Sequence, residues 1–362
     1  MLCRTLPRRA AAVVSRAGVG AGAAVGARAL SATALRQSKT PSMGDINPSP
    51  SAVQSFAGKQ KAFREQQAEA QRERGARALA AQRSSATSSE KSGRGSPKID
   101  AGATAEAKQN ETERKQGALT NLIYGTKEGR EMDAQIQASF SQVLARGKYV
   151  HSIVFHEVKP DKVDEYVELV GKWYPRVANA TENKVHLVGS WRTEIGDCDT
   201  FVHIWEYQKY AGYHESRYSI THQPGYAEMD AKLKTMIKSK NISLMQEFSF
   251  WPTTPPRQLG GVFELRSYTL HPGNLLEWET HWRRGLKARR EVMEGVGAWF
   301  VQIGDLNTVH HLWQFANLEE RRERREKSWS VEGWSDTVHK TVPLIQSMKS
   351  RILIPMPWSP VA

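Results

Sequence analysis

"GDCDTFVHIWEY" (residues 196–207) and "GDLNTVHHLWQF" (residues 304–315) are two versions of one phrase, set 108 positions apart. Gly196, Asp197, Thr200, His203 and Trp205 recur as Gly304, Asp305, Thr308, His311 and Trp313, a coincidence of spacing that chance explains poorly. Together with the apolar runs before them, "HLVGSWRTEI" (186–195) and "GAWFVQI" (297–303), the phrases read as β-hairpins turning at Ile-Gly-Asp. Glycine there supplies the positive φ that such turns need.

The repeat extends in both directions. Upstream, "YVHSIVFHEVKPDKVDEYVELVGKW" (149–173) matches "GVFELRSYTLHPGNLLEWETHW" (261–282): a strand, a proline break, then an amphipathic helix. Val163, Tyr166, Val167 and Val170 share one helix face, and Leu275, Trp278, Trp282 and Leu286 share the other. Downstream, charged helical stretches lead into closing strands, "ISLMQEFSFWP" (242–252) and "SRILIPMPWSP" (350–360). Strand, helix, strand, strand, helix, strand is the ferredoxin-like order, and two such units in tandem close into an α+β barrel of the dimeric type within one chain. The expected units are residues 148–257 and 258–362.

What precedes them has another character. Seven basic residues and no acid lie between Met1 and Gly44, leaving about +6 of the net +13 for the remaining chain. Arg, Ala and Ser without a continuous apolar core fit a mitochondrial transit peptide over 1–40, cut near "ARALSATA" (27–34). Residues 41–117 read as a disordered, low-complexity spacer, since "KQKAFREQQAEAQRERGARALAAQR" (59–83) has Phe63 and Leu79 as its large hydrophobes. A lead-in helix is expected over 118–147, where Ile136, Phe140, Val143 and Leu144 fall at helical spacing. With Cys3 and Cys198 as the cysteines, a disulfide framework and a Cys-based zinc site are excluded within one mature chain. No apolar stretch is long enough for a membrane span.

"FELRSYTLHPGNLLEWETHW", "VHHLWQFANLEERRERR", "LMQEFSFW" and "TVPLIQSMKSRILIP" together make the region from about residue 118 onward resemble the NIPSNAP family of mitochondrial proteins. The resemblance implies a dimeric α+β barrel type fold and residence in mitochondria, most simply the matrix. From animal relatives it implies signalling in mitochondrial quality control and mitophagy through protein partners, autophagy receptors among them. It brings no catalytic activity and no cofactor, and it leaves homo-oligomerisation open. The spacer and "GYHESRYSITHQPGY" (212–226) look lineage-specific, so receptor contacts of animal members do not carry over residue by residue.

Alternation along a strand puts Phe201, His203, Trp205 and Tyr207 on one face, and Val309, His311, Trp313 and Phe315 on the matching face of the second copy. His203, Trp205, His311 and Trp313 are therefore the ligand-binding candidates, on the expectation that they line the barrel lumen and bind a planar ligand; the alternative is imidazoles satisfied within a packed aromatic layer. That lumen reading is the rival to protein interaction, as a small-molecule binder or enzyme. His310 stands where the first copy has Val202. Adjacent strand residues face opposite sides, so His310 and His311 do not make a metal site. "DCDT" (197–200) lies in a turn and lacks the strand context of a phosphatase aspartate pair. Arg321, Arg322, Arg324 and Arg325, in "NLEERRERREKSW" (317–329), form either a solvated helix face or a site for an anion or acidic partner. Aromatics are not interleaved with them, which argues against nucleic acid.

Overall fold

A computed structural model of the chain describes residues 40–90, 149–180 and 183–362. Eight strands form a closed antiparallel barrel: β1 (Tyr149–Val158), β2 (Val185–Ile195), β3 (Thr200–Gln208), β4 (Ile237–Glu247), β5 (Val262–Leu270), β6 (Glu294–Ile303), β7 (Thr308–Phe315) and β8 (Ile345–Pro355), in the order β1-β3-β2-β8-β5-β7-β6-β4. Each repeat keeps the ferredoxin-like order within its own four strands. The halves are sewn together at β2–β8 and β4–β6, where Trp191 faces Pro355 and Trp299 faces Glu247. These pairs are 108 residues apart, so the joints are related by the same internal twofold as the repeats.

The turns show why this register holds. Gly196 and Gly304 have φ of 118° and 114°, and Asp199 and Asn307 both have φ of 59°. Short polar side chains tolerate that left-handed conformation, so both hairpins use the same backbone path. Each strand then presents one face inward. Val188, Trp191, Ile204 and Met245 meet their repeat partners Val296, Trp299, Leu312 and Leu353 across the barrel interior, with Phe263 and Leu265 beside them. A Cβ on Gly189 would lie 2.3 Å from the Trp191 ring, and one on Gly297 would lie 2.5 Å from Trp299. Those glycines make room for the two tryptophans that pack the interior.

Helices cover the outer faces. α1 is Pro50–Glu90, α2 Val163–Asn179, α3 Lys209–Thr221, α4 Tyr226–Met236, α5 Leu275–Val292, α6 Leu318–Trp329 and α7 Trp334–Thr341. α2 to α4 lie over the first repeat and α5 to α7 over the second. α2 buries Val163, Tyr166, Val167 and Val170; α5 buries Trp278, Trp282 and Leu286. α4 and α7 both start from a glycine in the left-handed region, Gly225 and Gly333.

α1 corrects part of the expected spacer. Residues 50–90 are helical, and their first turns dock on the second repeat. Phe56, 4% exposed, packs with Leu259 and Ala316, flanked by Val53 and Phe63. The Arg64 guanidinium donates to Glu294 Oε2 at 2.7 and 3.0 Å, Gln60 Nε2 donates to the same oxygen at 2.7 Å, and buried Arg257 pairs with the other carboxylate oxygen. A few apolar anchors plus one buried carboxylate hold the helix, which an even apolar stripe would have signalled more clearly. The expected transit peptide (1–39 of it), the 91–117 part of the spacer and the lead-in helix at 118–147 lie outside the described residues. Among the described residues, no helix is long and apolar enough to cross a membrane.

Candidate functional site

β3 turns Phe201, His203, Trp205 and Tyr207 outward, under α2 to α4, while Val202 and Ile204 enter the barrel interior. The alternation is as expected, but the His/Trp faces do not line the lumen. There are two layers of core, and the aromatic side chains of β3 belong to the outer one.

His203 is fully buried and sits in a hydrogen-bonded chain. Tyr166 of α2 lies 2.7 Å from His156 Nδ1 and 2.8 Å from His203 Nε2, and His203 Nδ1 lies 2.9 Å from Ser190 Oγ. His156 Nε2 is buried without a partner. A bare lone pair costs less there than an orphan N–H, so the protons are assigned to run from His156 Nδ1 to Tyr166, from Tyr166 to His203 Nε2, and from His203 Nδ1 to Ser190. Burial, and secondarily the Lys240 charge, lowers His156 to about 3. Burial also pushes His203 well below its ordinary value, helped by His156 and Lys240. Both imidazoles are therefore neutral at pH 7.

Beside this chain, a cavity of about 120 Å³ opens between α2 to α4 and strands β1, β3 and β4. Trp173 and Tyr174 of α2, Trp205 and Tyr207 of β3, and Tyr213 and Tyr226 form its aromatic walls. Tyr174 stands edge-on to Trp205 at 5.0 Å, and Tyr207 edge-on to Tyr213 at 5.0 Å. Arg217 of α3 and Lys240 of β4 add two cations. Asp230, the carboxylate of the lining, is engaged by Lys234. Neither Arg217 nor Lys240 has a side-chain hydrogen bond or ion pair among the described residues, and partial desolvation followed by the Arg217 charge lowers Lys240, which stays exposed. Burial raises the Tyr207 phenol to about 12, so it is a neutral donor.

The second repeat has the corresponding space under α5 to α7, filled differently. Where the first has Ser152, Val154, Val177, Tyr213 and Arg217, the second has Glu264, Arg266, Arg289, Arg321 and Arg325. Glu264, 1% exposed, accepts two bonds from Arg321 at 2.7 and 2.9 Å, one from Arg266 at 2.7 Å and one from Ser350 at 2.7 Å. Burial would raise its carboxyl, but the Arg321, Arg266 and Arg325 charges outweigh that and hold it well below the carboxylate range. Arg325 stands 3.8 Å away, and Arg289 stacks on Trp334 at 3.9 Å.

The sequence profile of the NIPSNAP family matches residues 152–252 and 263–360, one span for each half of this barrel. The chain belongs to the NIPSNAP family. It is similar to Protein NipSnap homolog 1 of Danio rerio, 41% identical over 213 residues that cover 59% of this chain and 76% of the relative. It is similar to Protein NipSnap homolog 2 of Homo sapiens, 37% identical over 235 residues that cover 64% and 82% respectively. A putative monooxygenase from Lactobacillus acidophilus matches at TM-score 0.45 and 10% identity over 57% of this chain and 94% of that one, too remote a likeness to inform the chemistry.

Within this NIPSNAP barrel, β3 and β7 stand on opposite sides, so His203 and Trp205 are not brought together with His311 and Trp313. Trp313 donates to His311 Nδ1 at 2.7 Å, and His311 lies 5.0 Å from the Trp282 and Tyr268 rings. His310 points into the interior instead, with Nδ1 2.8 Å from Ser267 Oγ; burial and then the Arg351 charge lower it to about 3. The four candidate arginines also separate. Arg322 is held between Glu319 and Glu326 and Arg324 by Glu320, whereas Arg321 and Arg325 turn inward to Glu264. A single basic patch on α6 does not exist. Among the described residues, no group of three or more His, Cys, Asp or Glu is placed to hold a metal ion. Sequence reasoning missed Tyr166 with His156, the cavity wall of Trp173 and Tyr174, and Glu264 with Arg266 and Arg289. A charge at strand positions 264 and 266, where the first copy has Ser152 and Val154, was the available signal.

Proposed function

We propose that the chain is a non-enzymatic binding protein whose first-repeat cleft takes a ring-sized apolar group carrying an anionic end. The observation that carries this reading is the 120 Å³ aromatic cavity with Arg217 and Lys240 unpaired at its lining. An apolar cavity of about 150 Å³ accommodates benzene, so the space suits one ring, with the charge turned towards the two cations. The neighbouring histidines are neutral, buried and tied to Tyr166 and Ser190, which suits a scaffold role better than acid or base chemistry. Titrating the full chain with phenylacetate while following tryptophan emission tests it. Saturable quenching is expected, weaker by about tenfold for neutral phenylacetamide and for Arg217→Gln. Phenylacetate and phenylacetamide binding equally, or neither binding, refutes the reading.

A second reading, protein interaction in mitochondrial quality control, is supported by α1. Its first turns are anchored on the barrel, while Arg72 further along is exposed on a helix of polar sequence, a surface suited to a protein partner. Here the chain acts inside mitochondria and presents this arm to autophagy receptors. Fractionation with protease protection, followed by co-precipitation of receptors with and without membrane depolarisation, checks both parts. A cytosolic chain, or receptor capture indifferent to deletion of 66–90, overturns it.

A further inference from the structure

The second repeat's cleft contains more positive charge than its structure neutralises. Arg266 of β5 and Arg321 and Arg325 of α6 lie 2.7, 2.7 and 3.8 Å from Glu264, the carboxylate that answers them among the described residues, and Arg289 of α5, stacked on Trp334, lies within their electrostatic reach. Four guanidinium groups against one carboxylate leave three charges uncompensated. Two buried donors there are also unpartnered. Arg289 Nε has no hydrogen-bond partner, and its Nη1 donates to the sulfur of Met293, a weak acceptor, at 3.1 Å. Because Trp313 donates to His311 Nδ1, the neutral His311 ring carries its proton on Nε2, and that atom is buried without a partner as well. Arg266 and Arg289 both act on His311, and Arg266 and Arg325 both act on Arg289, so these groups share one electrostatic environment. Burying like charges and orphan N–H groups together is costly unless an anion answers them.

We propose that this arginine cluster, between β5 and helices α5 and α6, is a binding site for a small oxyanion of two or three charges, phosphate- or carboxylate-bearing. Arg321 and Arg325 form its entrance, with side chains 25% and 29% exposed, while Arg266 at 15% lies deeper. A cluster reached by solvent through two partly exposed guanidinium groups suits a small ion better than a peptide or a nucleic acid backbone. Planar guanidinium forks suit carboxylate and phosphate oxygens, and Arg289 Nε and His311 Nε2 supply the donors that lack acceptors. The Arg322 and Arg324 side chains, already held by Glu319, Glu326 and Glu320, take no part. The site is independent of the first-repeat cleft, whose matching positions are Val154, Val177, Tyr213 and Arg217.

Calorimetric titration of the full chain with pyrophosphate and, separately, with citrate, at constant ionic strength set by chloride, tests the site. Saturable binding is expected, strongest for whichever anion class the fork geometry selects. It should weaken as salt rises, and by about tenfold or more in Arg289→Gln or Arg325→Gln. Arg325→Lys keeps the charge and should recover part of the loss, whereas Arg217→Gln in the first cleft should leave the titration unchanged. Absence of saturable binding by either anion to the folded wild-type chain overturns the proposal, and that result does not depend on any variant folding. Binding of equal strength in Arg289→Gln and Arg325→Gln overturns it too, since the ion would then sit elsewhere.

Discussion

Lowering the pH from about 7.5 to about 5 should destabilise this barrel through its buried imidazoles. His156 and His310 are each lowered to about 3, mainly by burial, and His203 and His311 are pushed well below their ordinary value for the same main reason. The folded chain therefore keeps these rings neutral while the unfolded chain protonates near pH 6.5. Protons taken up by the unfolded state alone favour unfolding, so stability is lost as pH falls below about 6.5 and the loss levels off near 3. Each ring contributes about 1.4 kcal/mol per pH unit in that window, or about 2 kcal/mol at pH 5. His156 and His310 alone give about 4 kcal/mol, a large share of the 5–15 kcal/mol typical of a domain, and His203 and His311 add to it. With a urea dependence of roughly 2–3 kcal/mol per molar, the midpoint should drop by at least about 1–2 M, read by tryptophan fluorescence at fixed ionic strength. Carboxylates such as Glu264 titrate in the unfolded chain near pH 4.5, below this range, so the shift above pH 5 reports the histidines. A midpoint at pH 5 within about 0.3 M of its value at pH 7.5 would refute neutral burial of these rings.

Tyr166→Phe removes the hydroxyl between His156 and His203 and should cost about 2–4 kcal/mol, since two buried imidazole nitrogens lose their partner; urea unfolding measures it. Glu264→Gln leaves Arg266, Arg321 and Arg325 without their carboxylate and should cost about 3–5 kcal/mol in thermal unfolding, with millimolar pyrophosphate restoring part of the loss. Phe56→Ala combined with Arg64→Ala should free α1 without lowering the barrel's melting temperature, seen as faster hydrogen exchange confined to residues 50–65. Gly297→Ala forces a methyl against Trp299 and should cost about 1–3 kcal/mol, read from the urea midpoint.

The barrel is legible in the sequence because its two halves are built from matched segments, and the matching exposes hairpins that neither copy signals as clearly alone. Strand alternation also separates His203 from Val202 and His311 from His310. Period two does not say which face becomes concave. Both faces of β3 are buried, Val202 and Ile204 inside the barrel and His203 and Trp205 under the helices, so hydrophobicity gives no vote. Ring size gives none either: β3 puts Val202 and Ile204 inside and its rings outside, yet Trp191 and Trp299 fill the interior where Gly189 and Gly297 make room. The basic run of α6 misleads for a related reason. Residues four apart share a helix face, and Arg321 and Arg325 therefore turn to Glu264 while Arg322 stays outside with Glu319 and Glu326. α1 escapes notice because its docking rests on Phe56, Phe63 and an Arg64–Glu294 pair, with the carboxylate 230 residues away in sequence.

Where the two repeats agree and where they differ follows from what each surface must contact. Val188 and Val296, Trp191 and Trp299, and Ile204 and Leu312 meet across the barrel interior, so a volume change in one half is felt by the other. The helix-covered clefts are different, because each lies between a repeat's own helices and its own strands. Substitution there disturbs one half alone. In a barrel made from two identical chains, any change would alter both clefts at once; one chain carrying both halves removes that constraint. The differences concentrate accordingly. Val154 and Val177 line an aromatic cavity in the first half, and their counterparts Arg266 and Arg289 help build a charged cluster in the second. His310, opposite Val202, is an interior exception, and it is accommodated by a partner from its own half, Ser267. In the clefts, divergence can settle where a half satisfies its own polar groups or leaves them for a ligand. That is why two clefts on one backbone plan can differ in chemistry, one walled by aromatic rings beside two cations and one built around clustered arginines, without disturbing the barrel that joins them.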